Sequence, residues 1–309
     1  MRGSLDRLYL HTLTTPMRWS TLGLLAALSA LGCAGDIPDS QAEPVEPYQP
    51  SAGFPVVVVD VAGTEHRFVR PPARIVSLVP SATETLLVLG VSGNLVARTD
   101  FDTDPALADL PSVGGGLDPS LEVLLVHEPD LVIHFHGPNS SEMVDRLEEF
   151  GIPSFAIRPD GVEDAREIMR TLGQVTGSVA RSDSILGDID ATLDRVTRAV
   201  RGLSPVRVAF LLGGPAPYAA GPGSYVHQLL ELAGGENVFS DLTQLYAQVS
   251  LESLVVREID LLLLPEGGSA PPGVDHAVRY VPKSIQFPGP RLGEAALALA
   301  EILHPEAFR

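Results

Sequence analysis

The chain has 309 residues, of which 45% are hydrophobic, and a formal net charge of −18 at pH 7. Such an excess of acidic groups repels phosphate backbones and anionic lipid headgroups, so the composition argues against binding to nucleic acid or to an acidic membrane surface. Cys33 is the single cysteine, which excludes an intramolecular disulfide. The length is sufficient for two modest folded lobes.

The N-terminal residues predict export. Thr21 to Leu31 form a short apolar stretch after Arg18, which is typical of a signal peptide and too short for a stable membrane span. Cys33 follows this stretch directly, and Ala30-Leu31-Gly32-Cys33 is similar to the lipobox of bacterial lipoproteins. We therefore expect residues 1–32 to be a signal peptide and Cys33 to carry a lipid that anchors the mature protein to a membrane.

Residues 33–53 are rich in proline and poor in apolar side chains, which predicts a disordered tether between the anchor and the folded part. An ordinary signal peptide followed by an incidental cysteine is the alternative to the lipobox. Met17 is an alternative start. Ala34 stands where an aspartate would favour retention in the inner membrane, so the choice between inner and outer membrane stays open.

From about residue 54, patterns typical of strands alternate with patterns typical of helices. Val56 to Val61 and Glu65 to Val69 flank Ala62-Gly63-Thr64 and predict a hairpin. A helix is predicted from Pro80 to Leu89, because Gly90 then provides a C-terminal stop signal. The other elements predicted in this half are strands over 74–78, 94–98, 131–135 and 154–157, a short helix after Asp118-Pro119, and a helix over 141–150.

The second half begins after a mostly helical segment from Val162 to about Arg201, in which Gly173 and Gly177 are possible breaks. A strand over 207–212, a helix over 226–233, a further helix and strand, and a final helix over 291–303 follow. Strands separated by helices predict an α/β fold with parallel-rich sheets. We expect two lobes, 54–161 and 206–309, joined by a long linker helix over 162–205, with the ligand cleft between the lobes.

A twelve-residue pattern occurs in each predicted lobe, at 120–131 and again at 250–261, with eight identical positions. Leucines at a spacing of three mark one face of a short helix, and an apolar run that reads as a buried strand begins at the last position of the pattern. Glu122 and Glu252 occupy the same place in the first turn of each helix. The pattern predicts two related lobes that carry a matched pair of carboxylates.

The segment Arg74-Ile75-Val76-Ser77-Leu78-Val79-Pro80-Ser81-Ala82-Thr83-Glu84-Thr85-Leu86 resembles the first strand and helix of bacterial periplasmic binding proteins of the helical-backbone class. These proteins deliver vitamin B12, haem, ferric siderophores or metals to ABC importers, and the B12-binding branch is the most similar. The resemblance extends over nearly everything after residue 72, through the segments 120–133, 234–239, 249–252 and 288–292.

The resemblance implies a use for the paired glutamates, because family members dock against arginines of the membrane permease through one glutamate on each lobe. Glu122 and Glu252 fall on those positions. A carboxylate and a guanidinium form a directional contact that can be bidentate. The alternative is that both residues only stabilise the N-terminal turn of their own helices.

The resemblance also implies a ligand cleft lined with aromatic side chains at the carboxyl ends of strands. Gly115 stands where the B12-binding protein has a large aromatic residue, so the cleft is wider there or lets the backbone approach the ligand. We expect cobalamin or a related metal chelate as the ligand, with a ferric siderophore or haem as alternatives. The predicted ligand-binding residues are Phe101, Gly115, Phe135, His136, Tyr218, Tyr246 and Phe287.

His134 and His136 alternate at a strand end and should point the same way. Binding of a free metal is a further, less favoured alternative, because it needs more ligands than these and the second lobe offers no matching cluster. One histidine could instead coordinate the metal of a bound chelate. We predict no resident cofactor and no catalysis, because the sequence lacks a nucleophile elbow, a dinucleotide fingerprint and a phosphate-binding loop. We expect a monomer that works with a permease; a lipoprotein that binds only another protein is a further alternative.

Overall fold

The computed structural model describes residues 53–138, 140–214, 216–273 and 275–309. The predicted signal peptide, Cys33 and almost all of the predicted tether lie outside these ranges. The described chain begins with an antiparallel hairpin of β1 (Val56–Val59) and β2 (Glu65–Phe68). The hairpin predicted from Ala62-Gly63-Thr64 is therefore confirmed, and Gly63 has the positive φ of 83° that its turn requires.

The first lobe contains a four-stranded parallel sheet in the order β4-β3-β5-β6. Helices cover both faces of this sheet, so its central strands are buried and mostly apolar, with Ser77 and His134 as the polar exceptions. The elements are β3 (Ile75–Ser77), α1 (Pro80–Val88), β4 (Leu95–Ala97), α2 (Leu121–Val126), β5 (Leu131–Phe135), α3 (Ser141–Glu149) and β6 (Ser154–Ile157).

Two helices, not one, connect the lobes: α4 (Val162–Val175) and α5 (Val179–Val200). The predicted helical linker over 162–205 is interrupted at Gly177, one of its two possible breaks, because Gly177 takes a φ of 72° and the chain folds back after Thr176. Gly173 is not a break. A Cβ at Gly173 would lie 2.6 Å from Cβ of Ser182, so this glycine lets the two helices pack closely.

The second lobe contains a six-stranded sheet in the order β10-β8-β7-β11-β12, with β9 also paired to β7. Strands β7, β9, β11 and β12 are parallel, whereas β8 pairs antiparallel with both β7 and β10 at one edge. The predicted α/β class with parallel-rich sheets is confirmed. The elements are β7 (Val206–Leu212), β8 (Tyr218–Ala220), α6 (Tyr225–Leu232), β9 (Gly235–Asn237), β10 (Tyr246–Gln248), α7 (Leu251–Val256), β11 (Leu261–Pro265), β12 (Val278–Val281) and α8 (Leu292–Leu303).

The twelve-residue repeat forms the same helix-then-strand unit in both lobes, α2 with β5 and α7 with β11. An aspartate at the helix–strand junction ties each unit to the neighbouring central strand. The Asp130 carboxylate accepts hydrogen bonds from the backbone N–H groups of Ala73 and Arg74, at 2.9 and 2.8 Å. The Asp260 carboxylate likewise accepts from the backbone N–H of Arg207 at 2.9 Å and from its guanidinium.

Asp60 holds the N-terminal hairpin against the edge strand β6. One carboxylate oxygen accepts from the N–H groups of Ala62 and Thr64 within the turn, at 3.0 and 2.9 Å. The other oxygen lies 2.9 Å from Nε2 of His66 and accepts from the N–H of Ala156 at 3.1 Å. Burial of Asp60 would raise its pKa, but these hydrogen bonds outweigh burial and hold the pKa below its ordinary value.

Replacing Asp60 by Ala should lower the free energy of unfolding by about 1.5–3 kcal/mol at pH 7. The reason is that the buried N–H of Ala156 and the N–H groups of the hairpin turn lose a charged hydrogen-bond acceptor. A carboxylate with a lowered pKa stabilises the fold above its unfolded-state value and loses that effect as the pH falls through its folded value. The difference between variant and wild type should therefore shrink below about pH 4. Urea denaturation at pH 7 and pH 3 measures this.

Asp109→Ala is the matched control, since Asp109 is exposed. Its effect on the free energy of unfolding should stay within about 0.5 kcal/mol at both pH values. An Asp60→Ala variant as stable as this control would show that the carboxylate does not hold the hairpin.

Candidate functional site

The carboxyl end of β5 borders a small hollow in the first lobe. The hollow has a volume of about 130 Å³, and Phe135, the last residue of β5, lies in its wall. The ring of Phe135 packs closely against Gly137, where a Cβ would lie 3.2 Å from the ring atom Cε1. The remaining lining residues are Gly116, Leu117, His134, Pro138, Ser140 and Met143.

Phe101 lies in a turn that hydrogen bonds between Thr99 and Asp102 hold together. The buried carboxylate of Asp102 accepts hydrogen bonds from the N–H and the hydroxyl of Thr99, at 2.8 and 2.7 Å. The N–H of Phe101 in turn donates to the Thr99 hydroxyl at 3.2 Å. This turn leaves the side chain of Phe101 67% exposed.

The structure assigns different constraints to the two neighbouring glycines at 115 and 116. A Cβ at Gly115 would meet only the carbonyl oxygen of Asp118 at 3.8 Å, which is an ordinary contact, so a side chain fits there. A Cβ at Gly116 would lie 2.2 Å from the carbonyl oxygen of Leu78, just beyond β3. Gly116 is therefore the position that needs glycine, and sequence reasoning, which singled out Gly115, missed it.

His134 and His136 line one wall of a larger cavity of about 630 Å³ between α3 and the hairpin, together with Asp60 and His66. Nδ1 of His134 lies 3.1 Å from the carbonyl oxygen of Phe135, which can only accept, so Nδ1 carries the proton. Burial lowers the pKa of His134, which favours the neutral ring. Within the described ranges, no three His, Cys, Asp or Glu side chains are grouped so that they could hold a metal ion.

The second lobe has its own hollow, of about 460 Å³, where β7 and β11 end. Its wall includes Glu266 and Lys283, two charged side chains that sequence reasoning did not select, and Gln286, the neighbour of Phe287. Phe287 is 42% exposed and Tyr218 is 49% exposed. Tyr246 differs from these two, because it packs against the core of this lobe, and burial raises the pKa of its hydroxyl.

Glu122 and Glu252 are both exposed, one near the N-terminus of α2 and the other near that of α7. Both helices begin at the carboxyl edge of their sheet, since the N–H of Ser120 donates to the carbonyl of Val113 and the N–H of Val249 to that of Pro217. Among the described residues, neither glutamate forms an ion pair. Hydrogen bonds from its own backbone N–H and from Ser250 hold the pKa of Glu252 below its ordinary value.

Contacts between the lobes join the two sequence segments that carried the family resemblance. The carboxylate of Glu84, on α1, forms an ion pair with the guanidinium of Arg291, at the start of α8. A Cβ at Gly289 would lie 3.4 Å from Cβ of Ser81, so the two segments pack against each other. Burial raises the pKa of Glu84, and the attraction of Arg291 offsets only part of this rise.

Arg291→Ala should raise the pKa of Glu84 further and reduce the free energy of unfolding at pH 7 by about 1 kcal/mol. A carboxylate with a raised pKa opposes folding above that value and ceases to do so once it is protonated, so the loss should diminish as the pH falls towards 4.5. Thermal unfolding at pH 7 and pH 5 measures this.

The Glu84→Gln/Arg291→Ala double variant removes the unpaired charge and should recover part of the lost stability at pH 7. Strict additivity of the two single changes would show that the side chains do not interact across the lobes.

The comparisons with known proteins agree with this architecture. The family model described as "Periplasmic binding protein" matches residues 75–276, and the chain belongs to this family of substrate-binding proteins. The chain is 25% identical over 313 residues to the uncharacterized ABC transporter substrate-binding lipoprotein YvrC of Bacillus subtilis, covering 94% of this chain and 98% of that relative. The membership predicted from the sequence is confirmed.

Two further relatives are named for the ligand they bind. The chain is similar to the vitamin B12-binding protein of Vibrio parahaemolyticus, with 25% identity over 193 residues, 62% of this chain and 70% of the relative. It is also similar to the cobalamin-binding protein of Halobacterium salinarum, with 30% identity over 223 residues, 69% of this chain and 59% of the relative.

Solved structures support the fold. The periplasmic heme-binding protein RhuT of a Roseiflexus species aligns with a TM-score of 0.67 at 24% identity, covering 76% of this chain and 98% of that structure. CeuE of Helicobacter pylori aligns with a TM-score of 0.70 at 20% identity, covering 82% of this chain and 89% of that structure.

Proposed function

We propose that the protein is the ligand-capturing lipoprotein of an ABC importer and that its ligand is cobalamin or a related metal chelate. One observation carries the proposal. Each lobe places a hollow and an exposed carboxylate without an ion-pair partner among the described residues at the same edge of its sheet, so a captured ligand and a docked permease would meet at one face. Capture is stoichiometric in this proposal, with no turnover of the ligand.

Exposed aromatic rings support a large ligand. Phe101 in the first lobe and Tyr218 and Phe287 in the second present their rings to solvent, whereas a bare cation would require convergent oxygen, nitrogen or sulfur ligands. Relatives named for vitamin B12 and cobalamin favour cobalamin. A ferric siderophore or haem is the second candidate.

The proposed location is the extracytoplasmic side of a membrane, with a lipid on Cys33 as the anchor. The similarity of almost the whole chain to a substrate-binding lipoprotein supports this proposal. Cys33 itself lies outside the described residues. Within the described part of the chain, no helix has both the length and the apolar character needed to cross a membrane.

Native mass spectrometry of the protein against cyanocobalamin, haemin and ferrichrome tests the ligand class. We expect a one-to-one complex, with cyanocobalamin bound most tightly. Phe101→Ala should weaken this complex about ten- to hundredfold, because a large aromatic contact area is lost.

Phe150→Ala is the matched control, since Phe150 is 58% exposed but lies at the end of α3, towards the opposite edge of the sheet. Its affinity for cyanocobalamin should equal that of wild type. Micromolar binding of zinc or manganese, with none of the three large ligands bound, would contradict the proposed ligand class.

The Glu122→Gln/Glu252→Gln double variant tests docking. Its affinity for cyanocobalamin and its melting temperature should be close to those of wild type, while uptake through the permease should fall at least tenfold, because two charge-assisted contacts are lost. Ligand uptake in cells that express the importer, together with thermal melting of the purified variant, measures both properties.

The alternative role of the two glutamates gives the opposite result. If the carboxylates only stabilise the first turns of α2 and α7, the melting temperature should fall and uptake should stay normal. That outcome would remove docking from the proposal and leave ligand capture intact.

A further inference from the structure

Each of the two short surface helices displays a second residue beside its glutamate. Val126 is 72% exposed and Val256 is 79% exposed, although both are apolar. Each valine follows its glutamate by four residues, and residues four apart lie on the same face of a helix. The two helices therefore present the same pair, a carboxylate above an apolar side chain, at equivalent places on the two lobes.

The valines contribute little to the core. Leu124 and Leu254 are the fully buried residues of the two helices, and Leu121, Val123 and Leu251 pack beside them. A β-branched residue is also slightly unfavourable in a helix, so an exposed valine benefits neither packing nor helix formation. The pair nevertheless occurs in both copies of the repeat.

We infer that Glu122 with Val126, and Glu252 with Val256, are two docking units, each of which places its carboxylate on a cation and its valine in an apolar socket of the permease. The inference rests on the proposed function and adds the apolar half of the contact. Two equivalent units require a partner with two equivalent sites. Because both helices begin at the carboxyl edge of their sheets, that partner faces the ligand.

The charge of the surface favours the permease over other occupants. A second copy of this chain would bring carboxylates against carboxylates, since the net charge is −18. An anionic lipid surface would repel the same two glutamates. A permease that offers cations next to apolar side chains satisfies both halves of each unit.

The unit on the second lobe is the larger of the two. Val255 is 64% exposed and lies three residues after Glu252, so it adjoins Val256 on the same face. The matching residue on the first lobe, Leu125, is partly buried. Loss of apolar contact should therefore weaken docking more on the second lobe than on the first.

Valine-to-threonine substitutions test the inference, because threonine keeps the branched shape and replaces one methyl group by a hydroxyl. The probe is the purified ABC permease complex that restores cyanocobalamin uptake when it is co-expressed with this protein, held in nanodiscs and titrated by biolayer interferometry. Val126→Thr should weaken association about threefold and Val255→Thr/Val256→Thr about tenfold or more. Val59→Thr, at an exposed valine of β1, should change nothing.

The outcomes separate this inference from the proposed function. Normal association of both valine variants, with loss in the Glu122→Gln/Glu252→Gln variant, would overturn the apolar contact and retain docking through carboxylates. Absence of any permease that restores uptake would remove the proposed function itself. A dimer in sedimentation, or binding to permease-free vesicles of phosphatidylglycerol, that the valine changes abolish would assign these faces to another occupant and overturn the inference.

Discussion

In each lobe, an aspartate just before a central strand fixes the position of the short helix that precedes it, α2 or α7. Asp130 and Asp260 each accept hydrogen bonds from the beginning of the neighbouring central strand, and each directly precedes β5 or β11. Because the short helix that precedes the strand is only six residues long, this fixed junction and one buried leucine determine which residues it turns outward. The exposed glutamates, the exposed valines and the rim of each hollow all depend on that placement.

Burial and charge act against each other between the lobes. Glu84 loses solvation there, and the nearby Arg291 offsets this loss only in part, so the pKa of the carboxylate stays raised. The pKa of Asp60 is lowered instead, because the hydrogen bonds that its carboxylate accepts outweigh the effect of its burial. The count of donors around a carboxylate, and not its depth alone, therefore decides which of these groups stabilises the fold when ionised.

The elements that the sequence predicts best are those whose own apolar residues show which side of the element is buried. β5 and β11 are mainly apolar runs, and the matched helices before them have leucines at helical spacing. The helix-then-strand unit could therefore be predicted from the sequence of the repeat alone. The strands β8, β9 and β10 have three residues each and exist because their neighbours pair with them, which no local pattern records. The requirement for glycine at 116, the partly core position of Tyr246 and the cavity beside His66 likewise arise from distant segments of the chain.

The turn between α4 and α5 separates the residues that build the core of the first lobe from most of those that build the core of the second. Leu172 and Val175 of α4 belong to the core of the first lobe, whereas Leu186, Ile189 and Val196 of α5 belong to the core of the second. A cut at Gly177 would thus leave two fragments, each of which retains most of one lobe's core. Their reassembly would bring the small side chain of Ser182 back against Gly173. The chain is thus suited to fragment complementation, in which the joining of two halves reports that both lobes have folded.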